Sequence, residues 1–185
     1  MKVENVEIYG LKESFKASKY PMSIDIDSLD SEYTDKIKSL AQTPTGTGHD
    51  NFLNGIIAQF DLTFSNKAWV EMQRYHFIDF VSSQSTMHKA SVMALELICN
   101  EWVTDNTIKE IKRLQSEYNT NKTPENYLKL IYNLPSGLQL TARMTTNYRQ
   151  LKTIYQQRKM HRLPEWREFC KWIEGLPYSE LITGV

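Results

Sequence analysis

The 185 residues predict an α+β fold, mostly helical with a small sheet. Two observations carry that expectation. From Ile57 to Phe64 the apolar residues Ile57, Phe60, Leu62 and Phe64 are interleaved with polar ones such as Asp61 and Thr63, the two-residue period of a strand with one buried face. Elsewhere most apolar residues recur three and four apart, the period of a helix. With 41% hydrophobic and 24% charged residues, the chain can bury one core, and a single domain over residues 1–185 is expected.

The elements follow in order. Val3, Val6 and Ile8 suit a short strand closed by Gly10, and residues 11–18 suit a helical turn. Tyr20-Pro21 breaks it, because a residue before proline avoids the α region. Segment 23–36 is acidic and polar, with helical spacing resuming at Tyr33, Ile37 and Leu40. Residues 43–51 form the one loop dense in Gly, Pro and Thr, and lead into the strand over 57–64.

Ser65-Asn66 caps a helix whose apolar positions Trp69, Val70, Met72, Phe77 and Phe80 place it through residue 80, with Trp69 and Phe77 in the core. Small polar residues at 81–89 interrupt it. A further helix is expected over 90–103, with Val92, Leu95, Ile98, Cys99 and Trp102 on one side. Asp105 or Asn106 caps the next helix, 107–118. Thr123-Pro124 reads as an N-cap followed by proline at the first helical position. Leu134–Gly137 is a turn, 138–146 a strand, and two helices follow, from Tyr148 to about Lys159 and from Pro164 to Gly175.

Composition also excludes. Lys+Arg is 22 and Asp+Glu is 22, so no basic surplus exists to displace counterions along a nucleic acid. The charged start is no signal peptide, and no apolar run approaches the ~20 residues a bilayer needs, so a cytoplasmic protein without membrane contact is expected. Cys99 and Cys170 read as two buried reduced thiols. His49, His76, His88 and His161 are scattered, and no metal site is expected. Phosphate-loop, dinucleotide-fingerprint and zinc-protease motifs are missing.

Three polar clusters fall at element junctions, where sites concentrate. The first, Gly46–Asn51, is an ordinary turn or a site. The second runs from Gln73-Arg74-Tyr75-His76 to Ser82–Lys89 and is a solvated loop or the lip of a polar pocket. The third is Arg143–Arg149 with Arg158, Lys159, His161 and Arg162. It is a basic solvated helix or an anion site, with Asn147 able to cap a helix. Arg149 and Arg158 lie nine apart, on opposite faces of an ideal helix.

Order and spacing of these clusters resemble the flavin-dependent thymidylate synthases over about residues 44–175. The family's Gly-His-Glu segment before a strand falls on Gly48-His49-Asp50. Its Arg-Gln falls on Met72-Gln73. Its signature RHRxxSxNExSxRY places Arg-His-Arg on His76, Phe77 and Ile78. The same register places Ser, Asn, Glu and Ser on Val81, Ser83, Gln84 and Thr86, and Arg-Tyr on His88-Lys89. The family's Leu-Pro turn and Asn-x-Arg match Leu134-Pro135 and Asn147-Tyr148-Arg149, and its later helical Arg matches Arg158.

The resemblance implies a homotetramer with sites shared between subunits, holding FAD above a pyrimidine nucleotide. The flavin carries hydride and relays a one-carbon group to C5 of the base, and no protein nucleophile is needed. It implies nucleotide contacts at Gln73, Gln84, Thr86, His88 and Arg158, and FAD contacts at His49, Asn51, His76, Asn147 and Arg149. His88, Lys89 and Lys129 (beside Ile131, where the family has a further arginine) are the cations available for phosphate. The alternative is a catalytically inactive member of the fold that binds another macromolecule, such as a phage accessory or inhibitor protein.

Overall fold

Alternation builds the centre of the sheet. In this computed structural model, which describes residues 1–184, strand β2 (Ile57–Ser65) buries Ala58, Phe60, Leu62 and Phe64 completely and leaves the residues between them half-exposed. Strand β4 (Gln139–Asn147) buries Ala142, Met144 and Thr146 in the same rhythm. The two run antiparallel. Asn66 N donates to Leu138 O at 2.9 Å at one end, and Tyr148 N donates to Ile56 O at 3.0 Å at the other. With β1 (Lys2–Tyr9) and β3 (Ile78–Ser83) the sheet order is β1-β2-β4-β3. The α+β expectation holds: nine helices accompany the sheet among the described residues.

Contacts divide the chain into two compact units. One comprises Met1–Lys2, Leu62–Arg74 and Ser82–Ala142. It contains α3 (Asn66–Met72), α4 (Thr86–Lys89), α5 (Asp105–Thr120) and α6 (Pro124–Tyr132). Ser65 caps α3 by accepting from Ala68 N, and Thr123 caps α6 by accepting from Asn126 N, as their sequences predict. Ala90, Leu95, Ile111, Leu114, Leu130 and Leu138 form its core cluster. Gly137 permits a close approach there: a Cβ would lie 2.4 Å from Val103 Cγ2 and 2.6 Å from Asn100 Oδ1.

The other unit comprises Val3–Asp61, Tyr75–Val81 and Arg143 to the end of the described chain. It contains α1 (Leu11–Ala17), α2 (Asp35–Ala41), α7 (Tyr148–Arg158), α8 (Pro164–Glu174) and α9 (Glu180–Thr183). Gly10 starts α1 at φ +76°, where a Cβ would strike Gly55 O at 2.2 Å. Arg143 on β4 ties three strands: its guanidinium donates to Asn5 O and Glu7 on β1 and lies 3.4 Å from Asp61 on β2.

The structure corrects five sequence expectations. The helix through residue 80 ends at Met72, and 78–83 is strand β3. Phe77 is exposed rather than core, as is Phe80, while Trp69 is buried as expected. The outer edge of β4 needs partners for its amides and carbonyls, and β3 pairs with it; just past β3 Gln84 N donates to Thr141 O, and just before it Phe77 O accepts from the Thr146 hydroxyl.

Residues 90–103 form no helix. Gln115 of α5 takes the carbonyls of Ala90 and Met93, and Asn119 takes that of Ser91. The segment bridges β4 instead, Cys99 opposite Leu138, with Gln139 N donating to Ile98 O. Leu95 is buried, but Val92 and Trp102 are exposed. Thr104, not Asp105 or Asn106, caps α5. Cys99 is only half-buried; Cys170 is buried as expected, and both thiols are free.

Candidate functional site

Helix α7 organises two polar centres on opposite faces. It starts where β4 ends, capped by Asn147, whose side-chain oxygen accepts from Gln150 N at 2.8 Å. Seven of its eleven residues are buried, among them Lys152 and Arg158, so the reading as a solvated basic helix is set aside.

At the first centre the ammonium of Lys152 spends its three donors on three oxygens. These are Ala41 O at 2.6 Å, Thr43 O at 2.8 Å and Asp50 Oδ2 at 2.9 Å. The Asp50 side chain is fully buried. Its other oxygen, Oδ1, lies 3.3 Å from Arg149 Nε, close enough for ion pairing but not aligned for a hydrogen bond. Both of those atoms are buried without a hydrogen-bond partner. One carboxylate therefore faces two cations, and the surplus positive charge belongs to Arg149, whose side chain keeps 28% exposure. Burying such charges is tolerable because each is paired. His49 and Asn51 flank Asp50 and are exposed. Arg149 thus meets Asp50, the chain neighbour of His49 and Asn51, while Asn147 caps the same helix two residues earlier.

At the second centre Arg158 packs into the corner between two rings, Tyr75 and Trp166, whose centres lie 6.0 Å apart in an edge-to-face arrangement. Its guanidinium carbon lies 4.7 Å from the Trp166 ring centre and 5.5 Å from that of Tyr75. Arg158 Nε donates to the Tyr75 hydroxyl at 2.7 Å, and that hydroxyl donates to Gln157 Oε1 at 3.1 Å. Arg158 is only 6% exposed. His76, next to Tyr75, is exposed. Cys170 on α8 has its thiol pushed up to about 11, by burial first and by Glu174 second, with Arg158 and Lys159 opposing.

The remaining expected site residues fall in the other unit. Gln73 ends α3 and is exposed. Gln84 works as a strand staple: besides its backbone bond, its side-chain oxygen accepts from Thr141 N at 2.9 Å. Thr86 opens α4 and His88 stands exposed in it, with Lys89 beside it. Lys129 is engaged by Glu125 at 2.8 Å. Among the described residues no group of His, Cys, Asp or Glu gathers that could hold a metal ion. No helix is long and apolar enough to cross a membrane.

Sequence reasoning missed Lys152 and Trp166 and took Asp50 only as a motif position. A signal for Lys152 exists: it lies four after Tyr148 and three before Tyr155, a charge on the apolar stripe of α7. Nothing local marks Trp166 as the platform under Arg158.

No protein-family model matches this sequence, and no curated protein does. Solved structures do resemble it. Thymidylate synthase X from Helicobacter pylori, crystallised with FAD and dUMP, aligns with a TM-score of 0.78 at 15% identity, covering 99% of this chain and 97% of that one. A second structure of the flavin-dependent H. pylori enzyme, also with FAD and dUMP, gives 0.74 at 16% identity, covering 99% and 97%. A UMP/dUMP methylase from Streptomyces cacaoi, bound with 5-Br dUMP, gives 0.67 at 15% identity, covering 99% and 94%. The chain has the fold of the flavin-dependent thymidylate synthases, as its residue clusters predict.

Proposed function

We propose that this chain is a divergent flavin-dependent protein, acting as a single domain, that binds FAD and a pyrimidine nucleotide and transfers a one-carbon group to C5 of the base. The observation that carries the reading is a fold shared across 99% of the chain with an FAD- and dUMP-bound enzyme, together with the Asn147–Arg149 head of α7. The residues there suit an anionic cofactor: Arg149 keeps surplus positive charge on a side chain that remains partly exposed.

In this reading His49, Asn51, His76, Asn147 and Arg149 hold the cofactor. Gln73, Gln84, Thr86, His88 and Arg158 hold the nucleotide. When bound, the flavin supplies the hydride and carbon-relay chemistry. The protein's part is binding and orientation. Because Tyr75 covers Arg158, a nucleotide carbonyl reaches that guanidinium by taking the place of the Tyr75 hydroxyl. His76, Phe77 and Ile78 supply no guanidinium for phosphate and Lys129 is engaged, which leaves His88 and Lys89 as the phosphate cations. The working form is a cytoplasmic homotetramer.

The test is the visible absorption spectrum of the purified chain, then titration with FAD and a thermal melt with dUMP. A ligand that binds only the folded state at ~100-fold excess over Kd adds about 2.7 kcal/mol. Bound flavin and a raised midpoint with dUMP support the reading. Neither flavin nor nucleotide binding would reassign the fold to an interaction role, such as that of a phage accessory or inhibitor protein.

A further inference from the structure

We infer that Asp50 is a positioning residue that aims Arg149 at the phosphates of a dinucleotide cofactor, and that Lys152 is what permits a carboxylate to stand there. The inference rests on the flavin reading above and adds a residue, a partner and a ligand moiety to it.

The argument is one of charge and valence. Asp50 is fully buried, so its carboxylate needs compensation. Lys152 supplies it through Oδ2, and the ammonium is then saturated, because its other two donors hold Ala41 O and Thr43 O. Lys152 has no donor left for a ligand. Arg149 differs. Among the described residues Asp50 is the one carboxylate within ion-pair distance of it, and the contact engages only the Nε side at 3.3 Å. Among the described residues no hydrogen bond engages the terminal amino groups of its guanidinium fork, on a side chain that keeps partial exposure.

A planar fork ion-paired on its Nε side alone still offers its two terminal amino groups to the paired oxygens of a phosphate. The N-terminal end of the eleven-residue helix α7 adds to the same sign of field. A neutral ring system gains little from such a charge, so the ligand moiety assigned to Arg149 is the diphosphate rather than the isoalloxazine. The same Lys152–Asp50 contact pins the base of the segment carrying His49 and Asn51, so one pair sets the place of several proposed cofactor contacts.

The experiment titrates the full chain with FAD and, separately, with riboflavin, which has the same ring and no phosphate, following flavin fluorescence. Wild type is expected to bind FAD more tightly than riboflavin. Asp50→Asn and Arg149→Gln are each expected to shrink that FAD-to-riboflavin preference by about tenfold or more, the scale of one charge-assisted contact, while leaving riboflavin affinity in place. Because Asp50→Asn strands a buried ammonium, the double variant Asp50→Asn/Lys152→Met, which removes the pair as a unit, carries the same expectation, with thermal melts confirming the fold. A purely structural role for Asp50 would weaken both ligands alike or neither, and either result overturns the inference. A wild type that binds neither flavin overturns the parent reading instead. A wild type that binds both with unchanged preference in every variant overturns only the role of Asp50 and Arg149.

Discussion

The two faces of helix α7 hold the same functional group in opposite ways. Arg149 meets a buried carboxylate and keeps part of its guanidinium open. Arg158 meets two aromatic rings and a phenol hydroxyl and is closed off. At the first face the attraction is between full charges in a dry setting, where loss of one partner leaves another stranded. At the second, ring faces and a hydrogen bond to a phenol hydroxyl share the contact, and each of these contributes less than a buried ion pair. Burial therefore says little about a cation's role until its partners are known.

The largest expected effect breaks the first face. Lys152→Met leaves Asp50 buried without its main cation, and a loss of about 3–5 kcal/mol in urea unfolding is expected. A loss under about 1 kcal/mol would mean that Arg149 alone can hold the carboxylate. Next, Tyr75→Phe removes the acceptor for Arg158 Nε and keeps the ring, which should cost about 1–2 kcal/mol. On the reading that nucleotide displaces this hydroxyl, the same change should tighten dUMP binding in a calorimetric titration. A weaker complex would show that Tyr75 holds the nucleotide rather than covering its site.

Asn147→Ala removes the cap of α7 and should cost about 1 kcal/mol by thermal melt. The smallest effect is a slope. Cys170, beside the Arg158 face, stays protonated in the fold up to about 11, against an ordinary thiol value near 9. The folded state therefore binds the proton more tightly, and its contribution to stability is lost as pH rises from about 9 through 11. In Cys170→Ala the alkaline fall in stability should be shallower over that window, with the other raised groups, Cys99 and the tyrosines Tyr9, Tyr33, Tyr148 and Tyr155, contributing to what remains.

Legibility in the sequence divides along similar lines. The strand over 57–65 and the helices begun by Ser65, Thr123, Asn147 and Pro164 were readable because each is specified by neighbours: a two-residue period, a capping side chain, a proline. Residues 78–83 were not, because Phe77 and Phe80 keep helical spacing while the backbone is claimed by Thr141 and Thr146, some sixty residues away. Residues 90–103 failed likewise, their carbonyls taken by Gln115 and Asn119. At the site, the Asn147–Arg149 motif and Arg158 could be read. That Arg158 packs against the Tyr75–Trp166 ring pair, and that Lys152 locks Asp50, are facts of long-range packing.

That lock also sets the timescale of the loop it holds. Residues 44–49 are all exposed, and Gly46 and Gly48 sit at positive φ, so the tip can rearrange locally without disturbing anything buried. The base cannot. Ala41, Thr43 and Asp50 are joined through a single ammonium, and releasing any one of them uncovers a buried charge of α7. Amide protons at the base, such as Leu53 N bonded to Asp50 O, should exchange with solvent only through openings that also expose α7. Those of the tip should exchange quickly. The segment is a short flap on a fixed hinge, and its reach for a ligand is limited to the six residues between the anchors.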